Sequence, residues 1–564
     1  MNKKILIVGG VAGGASTAAR IRRLDESAEI IMFEKGPHVS FSNCCLPYHL
    51  NGLIPEHEQL VLMCPEQFYN QYRINARVNN EVLSVNREKK ELTVKNVVTN
   101  EVYIENYDKL VLSPGADAIV PPISGIKNAD VFVVKNVVDI AKLKGFIVSK
   151  KAKNISVIGA GFIGLEVAEN LKEAGYNVTL IEAANQVMRN LDEDIVQILH
   201  KEIYDQGIHL ILHDKVVGFN GNNITLESGQ IVESDAIVMA IGVKPSIKLA
   251  KECGLAISER GCIKVDQNYR TEDKDIYAVG DAIEVTNAIS GKKVHLPLAG
   301  PAQKQARAVA DHIYNIPVNN TGYIGSSCIK VFDYNAASTG LTSKSCDALG
   351  IQYDTVYIIP QDKVGLMPGN HQLHFKLIYE VPTGRVIGAQ AVGKGNVDKR
   401  VDIVATLIKM NGTIDDLRDL ELCYAPPFST AKDVVNHAAL VALNLMKGTF
   451  KQVHVSEVRN LVENNAYIID VREKHEFERG HIIGAVNIPL SELRDRIAEI
   501  PKDKLVYVHC RSAQRSYNAA LALGHLGFDN IYNISGSYLG ISFYEYFNDQ
   551  TTDRKPIVTK YNFN

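Results

Sequence analysis

Tryptophan is absent from the sequence, only 9 of its 564 residues are cysteine, and no apolar run is long enough to cross a membrane. So few cysteines cannot build the disulfide framework of a small secreted protein, and the lack of a Cys-x-x-Cys pair argues against a structural metal site. Lysine and arginine (61) nearly balance aspartate and glutamate (64), which argues against binding to nucleic acid or to an anionic membrane. We therefore expect a cytoplasmic protein with reduced thiols and no metal.

The length and composition indicate a folded protein of several domains. At about 150 residues per domain, 564 residues correspond to roughly four domains. Hydrophobic residues make up 46% of the chain and charged residues 22%, which is ordinary for a soluble globular protein. Disordered and fibrous architectures are excluded on this ground.

The beginning of the chain follows the order strand, glycine-rich turn, helix, strand, acid. Residues 4–8 are an apolar run typical of a buried parallel strand, and Gly-Gly-Val-Ala-Gly-Gly follows at residues 9–14. Residues 15–24 are helical in pattern, and a second apolar strand at residues 30–33 ends on Glu34. This order predicts a Rossmann-type turn that binds a dinucleotide.

Each residue of this first motif has a physical role. Gly9 permits the tight turn, Gly14 lets helix and strand pack closely, and the helix N-terminus faces a pyrophosphate. Glu34 can accept a hydrogen bond from a ribose hydroxyl. Val11 occupies the usual second glycine, so a plain strand–helix corner remains an alternative for this motif alone. The lysines and apolar residues here also imitate a secretory signal peptide, but their glycines and the following acid fit the turn better.

The same pattern recurs about 150 residues later and is complete there. Residues 155–158 form the strand, Gly-Ala-Gly-Phe-Ile-Gly at residues 159–164 is a full GxGxxG, and residues 178–181 lead to Glu182. Alanines 183 and 184 follow, with no nearby arginine to bind a 2′-phosphate. A carboxylate at this position repels that phosphate, so NADH is favoured over NADPH.

A third segment indicates which two nucleotides are bound. Residues 275–279 form a strand that ends in Gly280-Asp281, where a carboxylate can meet the ribityl chain of a flavin; a simple turn is the alternative. Together with Leu-Ser-Pro-Gly-Ala at 112–116 and Ala-Ile-Gly at 240–242, the order resembles the two-dinucleotide-binding-domain flavoprotein reductases over about residues 1–445. The resemblance implies that FAD contacts Gly9, Gly14, Glu34, Lys35, Ser113, Gly115, Gly280 and Asp281, and that NADH contacts Gly159, Gly161, Gly164, Glu182 and Gly242.

The segment Ser-Phe-Ser-Asn-Cys-Cys-Leu-Pro-Tyr at residues 40–48 indicates the reaction. It lacks the two cysteines, five positions apart, of the glutathione reductase type, and it resembles the signature of the coenzyme A-disulfide reductases. The resemblance implies that Cys44 is a single redox cysteine beside the flavin, while Cys45 stands where that family has Gly or Ala. We expect a lowered Cys44 pKa. Two packed cysteines, or a Cys44–Cys45 disulfide, are the alternatives.

The same resemblance implies a site for coenzyme A. Arg20 and Arg23 lie three positions apart on the first helix, so both can reach one phosphate cluster. A solvated helix face is the alternative for these arginines. The positions that match the family's coenzyme A-binding residues are Ser16, Arg20, Arg23, Ser40 and Asn43.

A Tyr-Ala-Pro-Pro segment matches the family near the end of the reductase half. The resemblance implies that Tyr424 enters the active site of the partner subunit in a homodimer, where its phenol donates to a leaving thiolate; the alternative is that it only packs. The family often has Tyr-Tyr-Pro-Gly in the interface domain, whereas this chain has Leu366 and Met367 at those positions. This difference weakens the expectation of efficient coenzyme A disulfide turnover.

The pattern changes after about residue 450. Asp-Val-Arg at 470–472, Gly-His-Ile at 480–482 and Cys-Arg-Ser-Ala-Gln-Arg-Ser at 510–516 together resemble a rhodanese domain. A strand delivers Cys510 to a loop whose backbone N–H groups, with Arg511 and Arg515, can stabilise a persulfide anion. Cysteine phosphatases place five residues between cysteine and arginine, and only four separate Cys510 from Arg515, so a sulfurtransferase is favoured over a phosphatase.

The whole chain therefore resembles the fused coenzyme A-disulfide reductase–rhodanese proteins. The expected function is NADH- and FAD-dependent reduction of coenzyme A persulfide, polysulfide or coenzyme A disulfide, with sulfane sulfur supplied or accepted at Cys510. An NADH oxidase or peroxidase with a Cys44 sulfenic acid, and a sulfur carrier or redox sensor acting on a protein partner, remain alternatives.

The expected fold class is α/β, with two Rossmann-like domains, an α+β interface domain for dimerisation and a C-terminal α/β rhodanese domain. The expected boundaries are 1–112 with 246–325 for FAD, 113–245 for NADH, 326–445 for the interface domain, 446–453 for a linker, 454–547 for the rhodanese domain and 548–564 for a tail.

Overall fold

The computed structural model describes residues 3–563, so Met1, Asn2 and Asn564, at the ends of the first predicted domain and of the predicted tail, lie outside it. The chain forms two compact units, Met1–Ala184 with Ile211–Tyr323 and Asn185–Leu210 with Ile324–Asn564. Among the described residues, no helix combines the length and apolar character needed to cross a membrane. The expected α/β fold class is confirmed.

The chain up to residue 182 contains both glycine-rich turns. The elements are β1 (Lys4–Val8), α1 (Ala12–Leu24), β2 (Glu29–Glu34), α2 (Pro65–Tyr72), β3 (Ile74–Val78), β4 (Asn80–Asn86), β5 (Glu91–Asn96), β6 (Val102–Asn106), β7 (Lys109–Leu112), β8 (Ala116–Ala118), β9 (Val131–Phe132), α3 (Val137–Lys150), β10 (Asn154–Ile158), α4 (Phe162–Glu173) and β11 (Asn177–Glu182).

The next part of the chain contains a helix, Glu193–Asp205, which belongs to the second unit, and then the strands that complete the sheets of the first unit. Its elements are α5 (Glu193–Asp205), β12 (His209–Leu212), β13 (Val216–Asn220), β14 (Asn223–Leu226), β15 (Ile231–Val232), β16 (Ala236–Met239), β17 (Val243–Pro245), α6 (Lys248–Glu252), β18 (Ile276–Ala278), β19 (Glu284–Thr286), β20 (Lys293–His295) and α7 (Ala299–Ile313).

Two parallel sheets carry the glycine-rich turns. The first has the strand order β18-β7-β1-β2-β3, and every neighbouring pair is parallel. In the second, β10 lies between β11 and β16, also in parallel. After Lys4, the central strand β1 is apolar because it is covered on both faces, and Ile5, Leu6 and Ile7 are fully buried. In each sheet the glycine turn that follows the central strand therefore lies at the carboxyl edge of the sheet.

The second unit contains an antiparallel sheet followed by a parallel one. Its elements after α5 are β21 (Ser327–Val331), β22 (Tyr334–Gly340), α8 (Ser343–Leu349), β23 (Tyr353–Ile358), β24 (Leu373–Glu380), β25 (Val386–Gly393), α9 (Val397–Lys409), α10 (Ile414–Asp419), α11 (Val434–Met446), β26 (Lys451–Val453), α12 (Val458–Glu463), β27 (Tyr467–Asp470), α13 (Lys474–Glu478), β28 (Val486–Asn487), β29 (Val506–His509), α14 (Gln514–His525), β30 (Ile531–Ile534) and α15 (Ser537–Thr551).

The two sheets of this unit differ in direction. The first has the order β21-β22-β25-β24-β23 and is antiparallel throughout. The second has the order β26-β30-β29-β27-β28 and is parallel. The antiparallel sheet with its helices is the α+β interface domain, and the parallel sheet is the C-terminal α/β domain.

Three expected boundaries differ from the packing in the structure. Residues 185–210, expected within the NADH domain, belong to the second unit because Asp192 and Asp194 form ion pairs with Lys376 of β24. The expected linker includes β26, which pairs with β30. Helix α15 continues beyond residue 547, the expected end of the rhodanese domain. In the tail, Ile557 accepts a hydrogen bond from the Ile483 N–H, so the tail folds onto its own domain.

Candidate active sites

The first glycine turn has the geometry that the sequence predicts. Gly9 has a φ of +98°, and a Cβ on Gly14 would overlap the carbonyl oxygen of Gly9, so neither position accepts a side chain without a shift. Glu34, at the end of β2, accepts hydrogen bonds from the N–H groups of Gly10 at 3.1 Å and Gly36 at 2.9 Å. The carboxylate is thereby held beside the turn, where a ribose would lie.

The second turn repeats this arrangement. Glu182 accepts hydrogen bonds from the N–H groups of Ala160 at 2.8 Å and Ala184 at 2.9 Å, and a Cβ on Gly164 would overlap the Gly159 carbonyl. A Cβ on Gly161, by contrast, would meet no protein atom within 4 Å. This open space at the N-terminus of α4 is the approach that a pyrophosphate needs, so the turn fits a dinucleotide.

The other residues expected to contact FAD follow the ends of neighbouring strands. The Ser113 N–H donates to Val8 at 2.8 Å, which places Ser113, after β7, beside the first turn. The Gly280 N–H, after β18, donates to the buried Gln305 side chain at 2.7 Å. Burial raises the pKa of the neighbouring Asp281. Lys35 directly follows β2 and is exposed, and Gly115 and Gly242 have positive φ angles, of +70° and +124°.

Cys44 lies in a short 3₁₀ turn, Asn43–Cys45, and not at the start of an α-helix. Cys44 is exposed, and both Cys44 and Cys45 are free thiols. Desolvation of the sulfur raises the pKa of Cys44, and the charges of Glu166, Cys45 and Asp281 raise it further. The lowered pKa expected beside an electropositive flavin stays a prediction, because among the chain's own groups burial and then these negative charges act in the opposite direction.

Glu166 is a candidate functional residue that the sequence interpretation missed. It lies on α4, and its carboxyl disfavours ionisation of both Cys44 and Tyr48. Burial, followed by the charge of Glu169, raises the pKa of Glu166 to about 7. The available signal was a pair of acidic residues three positions apart, Glu166 and Glu169, in the helix that follows Gly164. Such a group can hold or release a proton at neutral pH next to a thiol.

The structure separates the candidate coenzyme A residues into two groups. Ser16, Arg20 and Arg23 lie on α1, and Arg20 forms an ion pair of 2.6 Å with Asp311 of α7. Ser40 has a left-handed φ of +48°, and its N–H donates to Gly10 at 2.8 Å. The hydrogen bond to Gly10 holds Ser40 beside the first turn. The ion pair with Asp311 balances part of the positive charge of Arg20.

Two further candidates lie at the surface. Asn43 is exposed, and its side-chain amide donates to the Lys135 carbonyl at 3.4 Å. Tyr424 belongs to the second unit, in the loop between α10 and α11, and 49% of it is exposed. A tyrosine with this exposure is available to a second chain.

The second cysteine site is at the carboxyl end of β29. Cys510 is buried, its N–H donates to Ser537 Oγ at 3.2 Å, and its carbonyl accepts from the Tyr538 N–H at 3.1 Å. Ser516 Oγ lies 3.6 Å from the Cys510 sulfur and donates to it. The loop therefore has a fixed backbone and a donor directed at the sulfur.

The two arginines of this loop are not equivalent. Arg515 forms a bidentate ion pair with Glu476, at 2.6 and 2.8 Å, and also hydrogen-bonds Cys510. The hydrogen bond from Arg515 lowers the pKa of Glu476 to about 2. Burial lowers the pKa of Arg511, which also lies close enough to Cys510 to be affected by its charge. Arg515 is thus held in place by a carboxylate, as a fixed cation beside the thiol.

A buried ion pair, Asp470 with Arg472, lies next to the Cys510 loop. The sequence interpretation did not identify it as part of the site. Asp470, at the end of β27, holds Arg472, whose guanidinium lies 4.0 Å from the Tyr538 ring and donates to the Gly480 carbonyl. His509 stands 3.6 Å from Asp470, and burial lowers the pKa of His509. The Asp-Val-Arg motif carried this signal, but the sequence interpretation used it only to mark the domain.

Three protein families match successive parts of the chain. The family described as "Pyridine nucleotide-disulphide oxidoreductase" matches residues 3–306, and its dimerisation domain matches residues 326–435. The family described as "Rhodanese-like domain" matches residues 454–542.

Individual relatives agree with this order. The "Coenzyme A disulfide reductase" of Staphylococcus epidermidis is 36% identical over 436 residues, which are 77% of this chain and 98% of the relative. The structure of reduced Bacillus anthracis CoADR-RHD is 44% identical, with a TM-score of 0.94, over 97% of this chain and 98% of that one. The structure of a NAD-dependent persulfide reductase from A. fulgidus is 34% identical, with a TM-score of 0.91, over 95% and 99% of the two chains.

Membership of the first family implies FAD and NAD(H) as cofactors, for which the two glycine turns described above are suited. The chain belongs to the pyridine nucleotide-disulphide oxidoreductase family, as a homologue of the coenzyme A disulfide reductases with a rhodanese-like domain fused after the dimerisation domain.

Proposed function

We propose that this protein reduces coenzyme A persulfide, or coenzyme A disulfide, with electrons from NADH and with Cys44 as the redox thiol. The observation that carries the proposal is an exposed thiol whose pKa is raised by the charges of two residues: Glu166, on the helix of the second turn, and Asp281, at the predicted FAD site. The names of two relatives, coenzyme A disulfide reductase and NAD-dependent persulfide reductase, support this substrate class.

The first turn, with Glu34 and Asp281, holds FAD, and the second turn, with Glu182, holds NADH. Glu182 is fixed by two N–H groups, and alanines follow it, so a 2′-phosphate would meet a carboxylate without a balancing cation. When bound, FAD transfers two electrons from NADH to a disulfide.

The thiolate of Cys44 attacks the inner sulfur of coenzyme A persulfide. A Cys44–S–S–CoA bond forms, the terminal sulfur–sulfur bond breaks, and hydrosulfide leaves with the electron pair. Two electrons and one proton then convert the mixed disulfide into the Cys44 thiolate and coenzyme A thiol. With coenzyme A disulfide the leaving group is a coenzyme A thiolate, and the rest is unchanged. Glu166, with its pKa of about 7, holds the proton near Cys44.

Ser16, Arg20, Arg23, Ser40 and Asn43 bind coenzyme A in this proposal, and Tyr424 serves the partner subunit of a cytoplasmic homodimer. The matched dimerisation domain and the exposure of Tyr424 support the dimer. Its phenol donates a hydrogen bond to the leaving thiolate.

The C-terminal domain acts as a sulfurtransferase through Cys510. Its thiolate takes a sulfane sulfur from a donor such as thiosulfate, which leaves as sulfite, and the Cys510 persulfide then passes that sulfur to the thiolate of coenzyme A. Ser516, Arg511 and Arg515 stabilise the anionic sulfur. The product is the substrate of the reductase site, and fusion raises its local concentration.

The test is anaerobic NADH oxidation with coenzyme A persulfide and then with coenzyme A disulfide, with the released sulfide assayed. We expect turnover that is lost in Cys44→Ser and retained in Cys328→Ser, a control at another exposed cysteine. With thiosulfate and coenzyme A as the sulfur source, sulfide release should also require Cys510.

Three results would contradict the proposal. NADH consumption that begins only when air is admitted would identify an oxidase. Slow NADH turnover with a stoichiometric protein acceptor would identify a sulfur carrier. Full activity in Cys44→Ser would exclude this cysteine as the redox thiol.

A further inference from the structure

The turn that joins β30 to α15 contacts the Cys510 loop on one side. Ser537 Oγ accepts the Cys510 N–H at 3.2 Å, and the N–H groups of Tyr538 and Leu539 donate to the carbonyls of Cys510 at 3.1 Å and Arg511 at 3.0 Å. The start of α15 therefore determines where the backbone of the catalytic loop lies.

The other side of the same turn contacts Tyr357, which lies on β23 of the interface domain. Ser535 Oγ donates to the Tyr357 carbonyl at 3.2 Å. A Cβ on Gly536 would lie 2.8 Å from the Tyr357 ring, so the turn and the ring are already in close contact. Only a residue without a side chain fits between the ring and the helix.

The Tyr357 ring is itself held firmly. Its hydroxyl shares a hydrogen bond of 2.6 Å with His374 on β24, and Phe543 packs edge-on against His374 with ring centroids 4.8 Å apart. Burial raises the pKa of Tyr357 and lowers that of His374 to about 3, so both side chains stay uncharged. The ring therefore offers the turn a rigid, neutral surface.

The turn has a strained backbone. Gly536 and Ser537 are consecutive residues with left-handed φ angles of +73° and +49°. A serine keeps a left-handed backbone conformation only where contacts with its surroundings stabilise it. One side of this support comes from Tyr357, outside the sheet that carries Cys510.

We propose that Tyr357 is a positioning residue for Cys510. The ring holds the Gly536–Ser537 turn, and the turn holds the backbone of the catalytic loop. Tyr357 touches neither the substrate nor the sulfur. Sulfur transfer at Cys510 thus depends on the interface domain, whereas the Cys44 reaction does not depend on this contact. The inference builds on the proposed sulfurtransferase role of Cys510.

Gly536→Ala in the full-length protein is the primary test, because the new methyl group must displace the turn or the ring. We expect kcat/KM for sulfur transfer from thiosulfate, and the iodoacetamide alkylation rate of Cys510 followed by peptide mass spectrometry, to fall roughly ten- to hundredfold. Gly527→Ala is the matched control: its φ is +86°, but its nearest neighbour is the flexible Lys502 amine at 4.0 Å. NADH-dependent reduction through Cys44 should be unchanged in both variants.

Substitutions at Tyr357 distinguish the effect of its ring from a general loss of structure. Tyr357→Phe keeps the ring and should keep most of the Cys510 reactivity. Tyr357→Leu should lower this reactivity, and the double variant Gly536→Ala/Tyr357→Leu should recover it, because the smaller side chain makes room for the methyl group. Because relief of the clash would restore stability as well as position, the alkylation rates are compared at a temperature where thermal denaturation shows every variant to be folded.

Several outcomes would overturn the inference. These are wild-type Cys510 alkylation in Gly536→Ala, equal loss in Tyr357→Phe and Tyr357→Leu, or failure of the double variant to recover. If the wild type alkylates normally at Cys510 but transfers no sulfur from any sulfane donor, the proposed sulfurtransferase function fails. The alkylation rates of the variants still decide the positioning role in that case.

Discussion

At the scale of single residues, the neighbours of Cys44 are acidic. Glu166 and Asp281 both disfavour its thiolate, and both carboxyls have raised pKa values because they are buried. Since the folded protein holds the Glu166 proton more tightly than the unfolded chain does, this carboxyl favours folding fully below pH 4.5. Its contribution is lost as the pH rises through about 7. The thiolate needed for attack must therefore be stabilised by groups other than these carboxyls.

Glu166→Gln should make Cys44 more reactive above pH 7. Above this pH the native carboxylate repels the thiolate, so its removal lowers the pKa of Cys44. We expect alkylation of the Cys44 peptide at pH 8 to be about threefold faster, which corresponds to roughly half a pKa unit. The control is Glu173→Gln, at the exposed end of the same helix. An unchanged or slower alkylation in Glu166→Gln would show that this carboxyl does not act on Cys44.

At the scale of secondary-structure elements, the two glycine turns are built alike. In both, the acid that ends the second strand accepts hydrogen bonds from the turn, and the last glycine lies against the carbonyl of the first. The spacing of glycines and acids along the chain is enough to predict this geometry, because all the contacts are formed within about 30 residues.

Gly161→Ala and Gly164→Ala should have opposite effects on stability and on binding. The methyl group at Gly164 overlaps the Gly159 carbonyl, so we expect a loss of about 1–3 kcal/mol in the free energy of unfolding. The methyl group at Gly161 meets no protein atom, so stability should change by less than about 0.5 kcal/mol while KM for NADH rises roughly tenfold. Thermal denaturation and steady-state kinetics measure the two effects. Normal NADH binding in Gly161→Ala would mean that the dinucleotide does not lie over this turn.

At the scale of the whole molecule, buried charges determine how the second unit is assembled. Lys376 is 5% exposed and pairs with Asp192 at 3.0 Å and with Asp194 at 2.7 Å. These contacts join residues 185–210 to the antiparallel sheet, although the sequence assigns them to the NADH domain.

Lys376→Met should destabilise the second unit strongly, because two buried carboxylates lose their cation. We expect a cost of about 3–5 kcal/mol, seen as a lower thermal midpoint for this unit. Lys394→Met removes an exposed ion pair with Asp333 and should cost less than about 1 kcal/mol. Similar midpoints for the two variants would contradict the assembly role of Lys376.

The sequence alone determined the fold class, the family, both nucleotide turns and the order of the domains. These features depend on short-range spacing, such as Gly14 to Glu34 or Cys510 to Arg515, which few other structures satisfy. Only the tertiary structure decided that Glu166 lies near Cys44, that Glu476 holds Arg515, and that Tyr357 contacts the turn behind Cys510. These pairs are separated by roughly 40 to 180 residues, and no local pattern marks a contact that the packing of distant elements creates.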